Sequence, residues 1–247
     1  MALDTNNKKD RETLRRLFIM KKTEIAMMAD RGFNTENVQL LQLNKTISTL
    51  QFNFNLIKDL TFEQFIAFRN TNNMFANRES FSCIYYKPVV NDKGQQFLLP
   101  MLVMYLGCSP FEKTCSTYTE KLNVLLATTR FHNIILITEN GISTKEKTRL
   151  LKLTAGINFW FFDDYELAFN RTKFALAPIQ TYYWSPDLIP TFEKEEELQA
   201  KQLPCMSKND ILAKWYGSNV GGVFTELIMG TDTNQEVFYR IVTNTTK

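Results

Sequence analysis

The segment NDILAKWYGSNVGGVFTELI, residues 209–228, carries three of the nine glycines of this 247-residue chain and decides how its last third is read. A phosphate-cradling loop runs strand, glycines, helix, so that helix N–H groups face the anion. Here the order is inverted. Asp210 is a favoured N-cap, and Ile211, Leu212 and Trp215 recur at helical spacing, which predicts a short helix beginning there. Gly217 supplies the left-handed residue that ends a helix without a Cβ penalty. Gly221 and Gly222 then open VFTELI, residues 223–228, whose β-branched and aromatic content suits a strand. The order is helix, turn, strand, and the Lys-Ser/Thr pair of a phosphate loop is absent. No nucleotide site is expected.

Working outward, the chain is long enough for one large domain or two ordinary ones, and two are expected: residues 1–170 and 171–247. Twenty phenylalanines imply packing rather than disorder. A formal charge of +3 is too small to announce nucleic-acid binding, so any such contact must be local. The opening MALDTNNKKDRETLRR has no apolar signal region, which leads to the expectation of an intracellular protein. Cys83, Cys108, Cys115 and Cys205 show no CxxC pairing and have only His132 for company, so no zinc site is expected and all four read as reduced core thiols.

From Arg11 to Met28, Leu14, Leu17, Phe18, Lys21 or Lys22, Ile25 and Met28 recur at i, i+3, i+4 spacing, the mark of an amphipathic helix. Its opposite face carries Arg15, Arg16 and Lys22, either a solvated surface or one that approaches phosphates. Gly32 is its expected C-cap, with Asn34 or Thr35 as a fresh N-cap. SFSCIYYKPVV and QQFLLPMLVMY flank the turn-forming Asn91-Asp92-Lys93-Gly94 and predict a hairpin; the apolar run from Phe97 to Cys108 reads as buried strand. Phe111 to Thr128 looks helical. The nearly all-apolar run 133–138 is a strand buried on both faces, as in a parallel sheet between helices, which makes the first part α/β. Residues 143–151 then form a helix capped by Ser143 or Thr144, with Lys145 and Lys147 crowding its start. Basic groups there oppose the macrodipole. The two readings are a phosphate partner and a solvated helix face. Asp163, Asp164 and Glu166 read as a capping and solubility feature rather than metal ligands. Residues 170–190 are expected to be extended, with the domain boundary near Asn170 to Lys173.

One resemblance spans both halves. Leu203-Pro204, Asp210, Ala213, Lys214, Trp215-Tyr216, Gly217, Gly221, Val223 and the closing Tyr239-Arg240-Ile241-Val242 resemble, without a gap from Asp210 to Val242, the assembly domain of the fifth subunit shared by nuclear RNA polymerases, a family with an archaeal counterpart. Upstream, residues 170–178, NRTKFALAP, look like the family's lead into that domain, GISTKEK (141–147) like the loop and helix start of its jaw module, and Asp30-Arg31-Gly32-Phe33 like its Asp-Arg-Gly-Tyr. Residues 34–130 align poorly. Ile211 stands for the family's Pro, Phe174 for its His and Ser218-Asn219-Val220 for a loop with a basic pair, as in a divergent or specialised paralogue.

The resemblance implies an α/β (α+β) architecture, with a sheet-and-helix jaw module followed by a small α+β assembly domain. It implies a nuclear, non-catalytic subunit of a DNA-directed RNA polymerase, with no cofactor. Leu212, Trp215, Tyr216, Val223, Tyr239 and Arg240 would dock on the largest subunit, and Ser143, Thr144, Lys145 and Lys147 would touch phosphates of the downstream duplex. The alternative is a free-standing α/β DNA-binding or DNA-processing protein. Against its sharpest form, no lysine has Asp or Glu two residues before it, as a metal-dependent nuclease strand requires. Nor is G-x-S-x-G present.

Overall fold

The computed structural model describes residues 3–42, 46–72, 74–90, 93–107, 131–153, 156–174, 177–229 and 234–244. The expected helix at 111–128, together with Cys108 and Cys115, lies outside them. The fold is α+β, with two mixed sheets, and the chain divides into two compact units, Met1–Phe169 and Asn170–Lys247. No helix among the described residues is long and apolar enough to cross a membrane.

Unit 1 opens with α1 (Lys8–Asp30), where the Asn7 side chain accepts from the Lys9 amide. Gly32, at φ +78°, closes it: the Gly32 and Phe33 amides donate to the carbonyls of Ala29 and Met28. This is the double hydrogen bond of a Schellman motif. The fresh helix expected after it does not form. Asn34 begins β1 (Asn34–Gln42) instead. Its side chain accepts from the Glu36 and Asn37 amides as a cap would, but the following residues pair with neighbouring strands. These are β2 (Thr46–Phe52) and β3 (Cys83–Val90), which hold that stretch extended.

Helices α2 (Asn55–Asp59) and α3 (Phe62–Asn72) separate β2 from β3. Phe52, Phe54, Phe65, Phe75 and Phe81 form a chain of ring contacts there, which accounts for part of the phenylalanine excess. β3 and β4 (Gln96–Leu106) make the expected hairpin. Only the second half of β4 is buried, because residues 96–98 pair with an exposed hairpin arm rather than with core strands.

β4, β5 (Asn133–Thr138) and β6 (Asn158–Asp163) run parallel, and the full order is β2-β1-β3-β4-β5-β6. Side chains alternate across this sheet. Ile84, Leu102, Ile134, Leu136 and Phe159 line one face, with Leu150 of α4 (Thr144–Leu153) packed on them. Cys83 and Tyr105, on the other face, meet α1. The short α5 (Asp164–Leu167) follows β6 directly.

Unit 2 is a four-stranded sheet ordered β7 (Gln180–Trp184), β9 (Val223–Met229), β10 (Gln235–Thr243), β8 (Cys205–Ser207). Helix α6 (Ile189–Glu195) supplies Phe192 to one face, beside Val223, Trp184 and Ile241. Helix α7 (Ile211–Trp215) supplies Leu212 and Ala213 to the other, beside Met206, Phe224 and Val242. The helix-turn-strand reading of residues 209–228 is what the chain adopts. Asp210 accepts from the Leu212 amide, and Gly217, at φ +66°, ends α7 in a second Schellman motif through the Gly217 and Ser218 amides. Gly222 answers a different demand. A Cβ there would come within 2.5 Å of the Tyr183 ring and 2.8 Å of the Trp184 carbonyl.

Candidate functional site

In unit 1 the four residues expected to meet phosphates share one exposed helix start. Ser143 caps α4: its hydroxyl donates to Glu146 Oε2 at 2.7 Å, and its carbonyl accepts from the Glu146 and Lys147 amides. The hydroxyl proton of Ser143 is therefore already engaged. Thr144 and Lys145 are exposed, and Lys147 Nζ lies 5.4 Å from the centre of the Phe161 ring. Ile142 and Leu150 pack on the sheet, so the helix start is held by its apolar side and presents its basic side outward. The geometry offers the exposed Lys145 ammonium and Thr144 side chain to an anion, with the half-buried Lys147 and Glu146 beside them.

The basic face of α1 is engaged differently. Arg16 donates to Glu139 at 2.6 Å and lies 3.4 Å from Asp164, which Arg78 also grips with both terminal nitrogens. Burial would lower Arg16, but Glu139 and Asp164 hold it above the usual guanidinium range. Lys22 donates to the Leu60 carbonyl. Arg15 is left exposed over a cleft of about 550 Å³ where Lys9 and Arg16 are balanced by Glu12 and Glu139. Two of the three basic residues on this face thus serve the fold.

The acidic run after β6 is explained the same way. Asp163 and Glu166 form a reciprocal capping box, and Asp164, 2% exposed, is the partner of the two arginines. Among the described residues no three His, Cys, Asp or Glu converge as metal ligands would. Of the cysteines, Cys83 is buried, whereas Cys205 is exposed, contrary to its reading as a core thiol: it lies at the start of the three-residue β8, whose burial is confined to Met206.

In unit 2 the six expected docking residues divide: Trp215 and Val223 are sealed in the interior, and Leu212, Tyr216, Tyr239 and Arg240 are half-buried. Trp215 and Val223 are 0% exposed, and Val223 belongs to the cluster of Phe192 and Ala200. Leu212 and Tyr216 pack against Phe224 and Met206. The Tyr239 ring meets Phe192 at 5.7 Å and its hydroxyl donates to Glu196 at 2.6 Å. That bond, aided by burial, pushes the Tyr239 hydroxyl up to about 12. Arg240 grips the buried Glu226 through Nε and Nη2. Trp215 and Val223 are therefore corrected from docking anchors to interior residues, since a side chain without exposed surface has none to give to a partner. Unit 2 exposes apolar groups both outside its sheet, among them Phe174, Ile179, Leu188, Leu198 and Val220, and on it, at Tyr182, Met229, Val237 and Phe238.

Sequence reasoning missed a buried polar centre. Lys21 and Glu24 of α1 are both 0% exposed and 2.8 Å apart. Lys21 also donates to the Phe81 carbonyl and to Cys83 Sγ, and lies 4.2 Å from the centre of the Phe54 ring. Tyr105 donates to Glu24 at 2.6 Å. Burial pushes Cys83 up to about 12 and both Tyr85 and Tyr105 well above the phenolic range, so these groups stay protonated and the single carboxylate is answered by the single ammonium. A lysine on the apolar stripe of the helix was the available signal.

No protein-family model matches this chain, and no curated protein matches it.

Proposed function

We propose that this chain is a non-catalytic subunit of a nuclear DNA-directed RNA polymerase, docking on the largest subunit through unit 2 and flanking downstream duplex DNA with unit 1. One observation carries the reading. The gapless run from Asp210 to Val242 that resembles the shared fifth subunit is the stretch that builds α7, its glycine stop, β9 and β10 within a single compact unit. The matched positions are the ones that make that module: Asp210 caps, Gly217 stops, and Val223, Tyr239 and Arg240 pack or pair inside it. With Trp215 and Val223 sealed inside, the exposed Val237 and Phe238 of the same sheet join the half-buried Leu212, Tyr216, Tyr239 and Arg240 as the proposed docking residues.

The α4 start suits phosphate contact without base reading, because the exposed Lys145 ammonium, with the half-buried Lys147 beside it, would neutralise a backbone and carry no sequence information. Affinity purification from the native cell, followed by mass spectrometry, tests the assignment. Catalytic polymerase subunits at equal stoichiometry are expected; recovery of the chain alone would support a free-standing DNA-binding protein instead. In the assembled enzyme, Lys145→Ala with Lys147→Ala should reduce the log–log salt slope of duplex binding by about 1.8, for two phosphates released. An unchanged slope removes the α4 contact.

A further inference from the structure

We infer that the outer edge of β10 receives an extended segment of a partner subunit as an added strand, with apolar side chains at successive positions. This rests on the docking role proposed above and names its geometry. Val242 donates to the Gly222 carbonyl and accepts from the Gly221 amide, so by antiparallel alternation the even-numbered residues of β10 turn their backbone groups toward β9. The odd-numbered residues turn theirs away. Ile241 donates outward to the Pro204 carbonyl, and Ile241 to Thr243 are then paired by the three residues of β8. There β8 stops. The next amide of its ladder would belong to Pro204, which has none to give to the Tyr239 carbonyl. Val237 and Tyr239 are left with outward N–H and C=O groups beyond the end of β8.

The side chains beside this gap say what kind of cover it needs. Val237 and Phe238 point to opposite faces of the sheet and are 49% and 46% exposed. A partner lying on one face would shield only one of them. A strand arriving edge-on satisfies the backbone groups and flanks both side chains at once, as in β-augmentation. The opposite edge of the same sheet is guarded: β7 is five residues long and bracketed by Pro178 and Pro186. Short edges and flanking prolines discourage strand addition. The open part of β10 has no proline.

Two measurements on the native assembly test this. Amide hydrogen exchange in the isolated chain should show Val237 and Tyr239 fast beside slow Phe238 and Arg240; on assembly the two fast amides should slow by at least about tenfold. A photo-crosslinking side chain placed at Val237 should couple to one extended segment of a different polypeptide. Coupling to a second copy of this chain overturns the inference, as do Val237 and Tyr239 amides that stay fast in the assembly or are already slow in the free chain. If polymerase subunits are absent while Val237 still couples to an extended foreign segment, the edge stands and the polymerase assignment falls. If polymerase subunits co-purify with the edge bare, the reverse holds.

Discussion

In unit 1 a lysine and a glutamate are sealed beneath α1 with a carbonyl, a thiol and a tyrosine hydroxyl turned toward them, whereas in unit 2 the backbone of β10 runs on past the end of its neighbour with exposed valine and phenylalanine beside it. The first region answers its charges internally, because a buried charge without a partner is expensive. The second leaves cheap, solvated polar groups where another chain could use them. Self-sufficiency and incompleteness are separated along the sequence, and each makes different demands on substitution.

The largest effect that would break this contrast is expected at the buried pair. Glu24→Ala leaves the Lys21 ammonium uncompensated and should cost about 3–5 kcal/mol in urea unfolding. Lys21→Met with Glu24→Gln should lose less than Glu24→Ala alone, since neither charge remains; a double variant as unstable as the sum of its singles would show that the ion pair is not what matters. Next come two phenylalanines of unit 2. Phe224→Ala, in the interior, should cost about 3–5 kcal/mol, and Phe238→Ala, at the open end, within about 0.5 kcal/mol. Equal losses would mean that the open end is part of the core.

The smallest effects are alkaline. Tyr239 is raised to about 12 in the fold from an unfolded value near 10. The folded form retains its proton where the unfolded chain has lost it, so the stabilisation is full below about pH 10 and fades as pH climbs through about 12. Tyr239→Phe should flatten that decline in unit 2. Cys83, raised to about 12 from 9.0, has the same sign but begins earlier, so unit 1 should weaken from about pH 9 upward. A thermal-stability profile between pH 8 and 11 that is level would contradict both.

Much of the fold is legible in the sequence because it rests on local chemistry. The β3–β4 pairing, the all-apolar β5, the glycine that closes α1 and the aspartate and glycine that bound α7 each rest on a few neighbouring residues. What the sequence hides depends on distant partners. Asn34 has the hydrogen-bonding habit of a helix cap, and only its pairing with β3 makes it the first residue of a strand. Trp215 and Val223 read as docking anchors because large apolar residues serve interfaces and cores alike, and a five-residue helix has too few turns to reveal which side faces inward. At the candidate phosphate contact the basic residues are readable, but the bond from Ser143 to Glu146 requires coordinates.

The grip of Arg16 and Arg78 on Asp164 bears on how this chain emerges during synthesis. Arg16 lies near the start of the chain, and its partners Glu139 and Asp164 come more than a hundred residues later. On a ribosome adding about 5–20 residues per second, Arg16 waits several seconds or more for its two carboxylates. Until then the apolar stripe of α1 has only the early helices and strands to lie against. The strand pairings of unit 2, by contrast, lie within its own 78 residues.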